Sequence, residues 1–495
     1  MPSAHSMPSP DQGEPPKTLL FNFSSLLGGT VFAKALGLLN VILLTRAISV
    51  ESFGLYALAF NIWAFLNHMV DLGGFHIANR NLVETQDPPR ETYESIIYLR
   101  LFGCLLFLPL LFLAGPLLNI SPSFNLIIAI GILAGFETFY DLYFSVTMQL
   151  DKRAKARVSA SLCNTLVIAL ALAVNLSLQT IILLIMLNPA LKLIFDWYFS
   201  KNPFAWRLSK PNFAKIKSIV VDGWPVWLSN LQYTILTRID TLLLLVLLPA
   251  AMGQYELGIY SAAFRFSEVM GLLITSLIPV LLPLLVKASK TDRHIQWLAT
   301  TCVKTILSLL VVGSLILFWY APLITKLIGA KYEAASACLQ ILIASQAFAA
   351  FNAVCYNLLL VYNAQRKSWV IISNVLLTLA NIGLNIILIP QLKANGAAWS
   401  TVLTEMIASV IMLISISCFT KIRLIPVLAI VLVFTAVSNA WVFFNILGPD
   451  SQNNHYLLAW LSPVLFLGLM LSTKVLNVSD LKKLANEKLG KTQVQ

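Results

Sequence analysis

Several charged side chains lie inside long apolar stretches of this chain, where charge is costly. They are Lys34, Glu137 with Asp141, Lys192 with Asp196, Arg238 with Asp240, Arg265 with Glu268, and Glu405. An ionisable group at mid-membrane costs roughly 2.5–3.5 kcal/mol on the insertion scale, so it needs a cavity, a partner or a ligand. Lys192 and Asp196 are four apart near the end of their stretch, and Arg265 and Glu268 are three apart. Either pair can neutralise itself on one helix face. Glu137 and Asp141 put two acids on one face, which repel unless a cation or proton intervenes. Lys34 has no acid in its own stretch, and Arg238 and Asp240, two apart, point in different directions. Lys34, Arg238 and Arg265 are therefore the candidate contacts for an anionic substrate group. Glu137, Asp141, Asp240, Glu268 and Glu405 are the candidate counter-ions or proton or cation coupling sites.

The elements that carry these residues follow from composition. Of 495 residues 58% are hydrophobic and 11% charged, against about 25% charged in a soluble domain. That excludes an ordinary soluble enzyme and a disordered scaffold. The six cysteines stand singly in apolar runs, with no CxxC and no neighbouring His at ligand spacing. They read as small buried hydrophobes, not as a disulfide framework or a metal site. A hydrocarbon core of ~30 Å needs about 20 apolar residues per helix. Fourteen stretches qualify: 19–44, 53–70, 96–118, 124–149, 158–176, 180–199, 219–248, 257–286, 299–324, 335–362, 369–389, 397–418, 424–447 and 456–471. They lack the strict alternation of barrel strands, so the expected fold is an all-α bundle of about 14 transmembrane helices. Pro225, Pro249, Pro279 and Pro283 predict kinks in the seventh and eighth.

The net charge of +12 is explained by placement. With the N-terminus inside, the cytoplasmic connections and tails hold 24 Lys and Arg, and the opposite side 4 (Arg46, Lys326, Lys331, Lys393). This segregation fixes the expected orientation, both termini cytoplasmic, and argues against nucleic acid as the partner of the charge. Residues 52–60 (SFGLYALAF) recur as 256–264 (ELGIYSAAF), six spans later. An even separation makes the halves parallel, a recurrent transporter plan with substrate between them. The expected organisation is a polar disordered tail (1–17), a first lobe (18–200), a basic linker (201–218), a second lobe (219–420), two extra spans (421–472) and an amphipathic cytoplasmic tail (473–495) that lies on anionic lipid.

LTRAISVESFGLYALAF (44–60), TRIDTLLL (237–244) with ELGIYSAAFRFSE (256–268), IGAKYEAASACLQIL (328–342) and NGAAWSTVLTE (395–405) occur in this order. Together they resemble the bacterial polysaccharide flippases of the O-antigen and exopolysaccharide branch, in the superfamily of multidrug, oligosaccharidyl-lipid and polysaccharide exporters. The resemblance implies two parallel six-helix lobes in the bacterial inner membrane. It further implies movement of undecaprenyl-diphosphate-linked oligosaccharide from the cytoplasmic to the periplasmic leaflet by alternating access. The diphosphate would be the anion that Lys34, Arg238 and Arg265 meet. Partners implied are the lipid-linked glycan, membrane lipids, a polysaccharide polymerase and a chain-length regulator. No cofactor is expected, with coupling to a proton or sodium gradient left open. A drug/cation antiporter of the same architecture is the nearest alternative. A membrane glycan polymerase or ligase fits less well, because the outward connections are short and carry no His/acid cluster. Trp63, Phe65, Trp224, Trp227 and Tyr233 could stack on sugars, although interfacial belts explain membrane aromatics more often. Gly131 and Gly135 form a GxxxG that reads as close helix packing.

Overall fold

Caps and turn residues set the boundaries of the helices. The computed structural model describes residues 16–75, 77–78, 90–116, 120–147, 149–200, 210–288, 292–362, 367–419 and 464. Ser49 Oγ accepts the Ser52 N–H at 3.2 Å and opens α2 (Val50–Asp71), just after α1 (Pro16–Ala47). Leu72 and Gly73 end α2 with positive φ, 48° and 76°. A Cβ on Gly73 would lie 2.6 Å from the Gly223 carbonyl oxygen, so only glycine permits this crossing. α3 (Arg90–Ala114) follows, then α4 (Pro122–Leu133), opened by Pro122 in its first turn. α5 (Thr138–Val146) continues the same span after a break at residues 134–137.

α6 (Leu150–Ala173) begins eight residues earlier than expected, so Arg153, Lys155 and Arg157 lie in its first two turns instead of in a connection. Asn175, with φ 56°, turns the chain, and Ser177 Oγ caps α7 (Leu178–Met186) through the Thr180 N–H. Pro189 lacks the N–H that would bond the Ile185 carbonyl. The helix accordingly breaks at Leu187 before α8 (Asn188–Ser200). α1 packs on α6 where Gly29 meets Ala154; a Cβ there would stand 2.9 Å from the Ala154 Cβ.

A first compact unit runs through Val246 and a second begins at Leu247. α9 (Phe213–Leu247) is tied to α2 in the first unit. Trp227 Nε1 donates to the His68 and Met69 carbonyls at 3.1 and 3.2 Å, and Arg238 Nη1 donates to Asn61 Oδ1 at 2.9 Å.

The second unit contains α10 (Ala250–Ala288), α11 (Asp292–Ile328), a 3-10 turn (Ala330–Tyr332), α12 (Ala335–Tyr362) and α13 (Lys367–Phe419). α12 packs on α10, α11 and α13 at once, which explains its burial: Leu342, Ile343, Ala347, Phe348 and Phe351 are all fully enclosed. The apolar stretch Ile372–Ser417 has 46 residues, about 69 Å as a straight helix, far more than the ~30 Å core. The chain reverses inside α13 at Lys393 (φ 55°, ψ −128°). Ser400 Oγ reaches the Asn381 carbonyl at 3.2 Å across 19 residues, which only a hairpin allows.

No strand occurs among the described residues. Nine helical stretches there are long and apolar enough to cross a membrane, one of them this double crossing. α9 and α10, of 35 and 39 residues, are also long enough to cross. The protein is therefore an all-helical, multi-pass membrane protein. Apart from residue 464, the thirteenth and fourteenth expected spans (424–447 and 456–471) and the C-terminal tail lie outside the described residues, as does most of the N-terminal tail.

Candidate functional site

The break in the fourth span turns two acids toward a set of cations within the first unit. Asp141, on α5, receives three cationic side chains from two other helices. Arg153 Nε donates to Oδ1 at 2.9 Å, Lys192 Nζ to the same oxygen at 2.9 Å, and Arg157 Nη2 lies 3.9 Å from Oδ2. Lys192 also donates to Asp196 Oδ2 at 2.8 Å, the i,i+4 pair that its spacing predicts. Arg157 Nη1 further donates to Thr30 Oγ1 at 3.1 Å and so links α6 to α1. The expected repulsion between Glu137 and Asp141 is therefore offset by Lys192, Arg153 and Arg157. Glu137 immediately precedes α5 without making a side-chain cap hydrogen bond, and its buried Oε2 has no hydrogen-bond partner among the described residues.

Arg100 on α3 is a further intramembrane cation, beyond those weighed above as candidates. It stands eight residues into the span that begins at Thr92, ~12 Å from that end, and is 3% exposed. Nη2 donates to Asn67 Oδ1 at 2.7 Å and to the Ile132 carbonyl at 3.2 Å, and the guanidinium lies 5.5 Å over the Phe136 ring. The Ile132 carbonyl belongs to the C-terminal turn of α4, where freed carbonyls and the helix dipole favour a cation. Gly135 makes room for it: a Cβ there would strike the Arg100 guanidinium. A charge at this depth costs as much on Arg100 as on Lys34, so it too needs a partner, a cavity or a ligand.

The other candidate residues are dispersed. Lys34 stands on the exposed face of α1 with no ion-pair partner among the described residues. Arg238 bonds Asn61, as above, and Asp240 is buried on α9. In the second unit Arg265 Nη1 lies 3.4 Å from Glu268 Oε2. Glu405 Oε2 accepts from Asn352 Nδ2 at 2.7 Å; the same amide reaches the Glu405 carbonyl at 3.0 Å, and Ser409 Oγ donates to Asn352 Oδ1 at 2.8 Å. Nearby, Asn381 Nδ2 donates to Thr404 Oγ1 at 3.2 Å. Glu256 accepts the Ala394 N–H at 3.2 Å and lies 3.9 Å from Lys393, which fastens the α13 reversal to α10. Cys104, Cys338 and Cys355 are free and buried, and Cys163 is free and half-buried. Among the described residues no three His, Cys, Asp or Glu side chains are grouped to hold a metal.

A profile of the family described as polysaccharide biosynthesis protein matches residues 19–289, more than half of the chain. The chain belongs to that family. This polysaccharide biosynthesis protein shares its fold with a solved lipid II flippase, MurJ, in an inward closed conformation. The two are 16% identical, with a TM-score of 0.66, over 91% of this chain and 99% of the other. A multidrug resistance MATE family transporter of the MOP superfamily, inward-facing, matches at 14% identity and TM-score 0.57, over 79% and 95% of the two chains. A further MATE structure, in complex with MaD5, matches at 13% and 0.55, over 84% and 99%. No curated protein matches the chain. The fold of this family member is thus the one it shares with these solved structures of a lipid II flippase and MATE transporters.

Proposed function

We propose that this polysaccharide biosynthesis protein is a flippase for undecaprenyl-diphosphate-linked oligosaccharide. It carries the glycan from the cytoplasmic to the periplasmic leaflet of the bacterial inner membrane by alternating access. The observation that carries the reading is the family match over residues 19–289 in a chain whose fold follows a lipid II flippase over 91% of its length. A headgroup that leaves water with its diphosphate needs cations within the membrane, and charge-assisted bonds to phosphate oxygens supply the compensation. Lys34, exposed and without an ion-pair partner among the described residues, is the first contact we assign to the diphosphate. Arg238 and Arg265 are the second and third. Glu137, Asp141, Asp240, Glu268 and Glu405 serve as counter-ions or as coupling sites for a proton or sodium gradient. Both termini face the cytoplasm, and the polysaccharide polymerase and chain-length regulator act on the delivered glycan.

The test is deletion of the gene followed by assay of lipid-linked oligosaccharide in each leaflet. The reading expects accumulation on the cytoplasmic side, with loss of the surface polymer. Unchanged glycan with raised drug sensitivity would replace it with the antiporter reading.

A further inference from the structure

The geometry points to Asp196 as a reversible proton-binding residue, in which Oδ1 takes up the proton and Lys192 then gives its hydrogen bonds to Asp141. Asp196 is 0% exposed. Its Oδ2 accepts from Lys192 at 2.8 Å, while Oδ1 is buried with no hydrogen-bond partner among the described residues. An ionised carboxylate offers about four acceptor positions. Leaving half of them empty in a dry interior disfavours the charge, and a proton on the empty oxygen removes it. Asp141 is different. It holds two direct cationic contacts and a third at 3.9 Å, enough to keep it ionised whether or not Lys192 also serves Asp196.

The charged and titratable neighbours come from every packed element. Lys192 lies on α8 itself, and Glu137, Tyr140 and Asp141 come from the break and α5. Arg153 and Arg157 on α6 reach the group through Asp141, and Arg100 on α3 acts on it through Glu137. This set favours a proton over a metal ion. A cation such as Na⁺ or Ca²⁺ needs several oxygen ligands and would be placed directly against the Lys192 ammonium. Proton uptake forms one O–H bond, breaks no covalent bond and raises the cluster charge by one. It also tightens the tie between α8 and α5, since Lys192 then has Asp141 as its one charged acceptor in the cluster instead of sharing its charge with Asp196 on its own helix. The proposal rests on the transporter reading for the use of the proton, but not for its binding.

Infrared difference spectra of the purified full-length protein in detergent, over a pH series, test it without any glycan. The expected wild-type spectrum contains a titrating C=O band of a protonated carboxyl that moves in D2O. Asp196→Asn loses that component, Asp196→Glu keeps it at a displaced frequency, and Asp151→Asn leaves it unchanged. Asp151 is a suitable control because it pairs only with the exposed Lys155 among the described residues, at 3.2 Å. No titrating band in the wild type, or the same band in Asp196→Asn, overturns the assignment. If Asp196→Asn proves not to be monodisperse, the wild-type and Asp196→Glu spectra decide, and an undisplaced band in Asp196→Glu also overturns it.

Discussion

Lys192 Nζ lies 2.9 Å from Asp141 Oδ1, joining the fourth and sixth spans across 51 residues of sequence. Both side chains are mostly enclosed, at 11% and 13% exposure. Such a pair offers less by forming than it costs when one partner is removed, because the survivor is left charged and buried. Asp141 is the shared acceptor of the cluster, so its loss strands more charge than the loss of any one cation.

Asp141→Ala is accordingly expected to destabilise the protein by about 3 kcal/mol or more. Arg153→Ala is expected to cost less, since Lys192 remains on the same oxygen. Thermal unfolding of the detergent-purified variants measures the order. Equal melting temperatures for Asp141→Ala and wild type would contradict the role of Asp141 as the hub.

Glu405 depends on Asn352 for its side-chain hydrogen bond. Asn352→Leu removes that donor and leaves a buried carboxylate poorly satisfied, at a cost of about 1–3 kcal/mol. Asn352→Leu combined with Glu405→Leu should recover part of the loss, because both polar groups then leave together. A double-mutant cycle by thermal unfolding reads the coupling. Strict additivity would show that the two side chains do not interact.

Close backbone approach sets a different test. A Cβ on Gly103 would lie 2.2 Å from the Val70 carbonyl oxygen, a rigid neighbour, whereas a Cβ on Gly28 meets nothing within 4 Å. Gly103→Ala is expected to lower stability by about 1–3 kcal/mol through forced backbone shifts, with Gly28→Ala near neutral. Expression level and melting temperature separate them, and a neutral Gly103→Ala would contradict the described α2–α3 contact.

At the α13 reversal Lys393 has φ 55°, which glycine adopts without cost. Lys393→Gly should leave stability unchanged or raise it by up to about 1 kcal/mol. The ion pair it loses is a 3.9 Å contact of a half-exposed lysine, and so contributes little. Lys393→Pro cannot take a positive φ and should lower the melting temperature markedly. If both variants melt alike, the reversal is not at this residue.

These residues also show which features sequence could carry. Helical spans were legible because apolar runs of membrane length admit few alternatives, and the Lys192–Asp196 pair was legible because both partners share one helix. Partners that arrive from other helices were not. Arg153 and Arg157 read from sequence as part of a basic connection, because the continuous apolar run begins at 158. Helix α6 in fact starts at Leu150 and brings both to Asp141. The break at 134–137 had only Gly135 as a signal, within a stretch otherwise apolar enough to continue. Turn chemistry would have put the reversal near 393 on Asn395–Gly396. The structure puts the positive φ on Lys393 and uses Gly396 for close approach, where a Cβ would stand 2.3 Å from the Leu388 carbonyl oxygen.

Lys34→Ala and Arg265→Ala are expected to express and fold normally, since Lys34 has no ion-pair partner among the described residues and the Arg265–Glu268 pair is long, at 3.4 Å, and partly exposed. Both should nevertheless reduce glycan export. Surface polymer measured in a complemented deletion strain provides the readout. Full export by both variants would remove them from the substrate site.

The most direct measurement is translocation in proteoliposomes loaded with undecaprenyl-diphosphate-linked oligosaccharide, followed by an external glycosidase. A flippase renders the inner-leaflet pool accessible, so digestion should proceed past the half reached in protein-free vesicles and fall back toward that half with Lys34→Ala. Digestion that stops at one half with the wild-type protein, in vesicles where the same preparation moves a cationic drug, would contradict the flippase assignment.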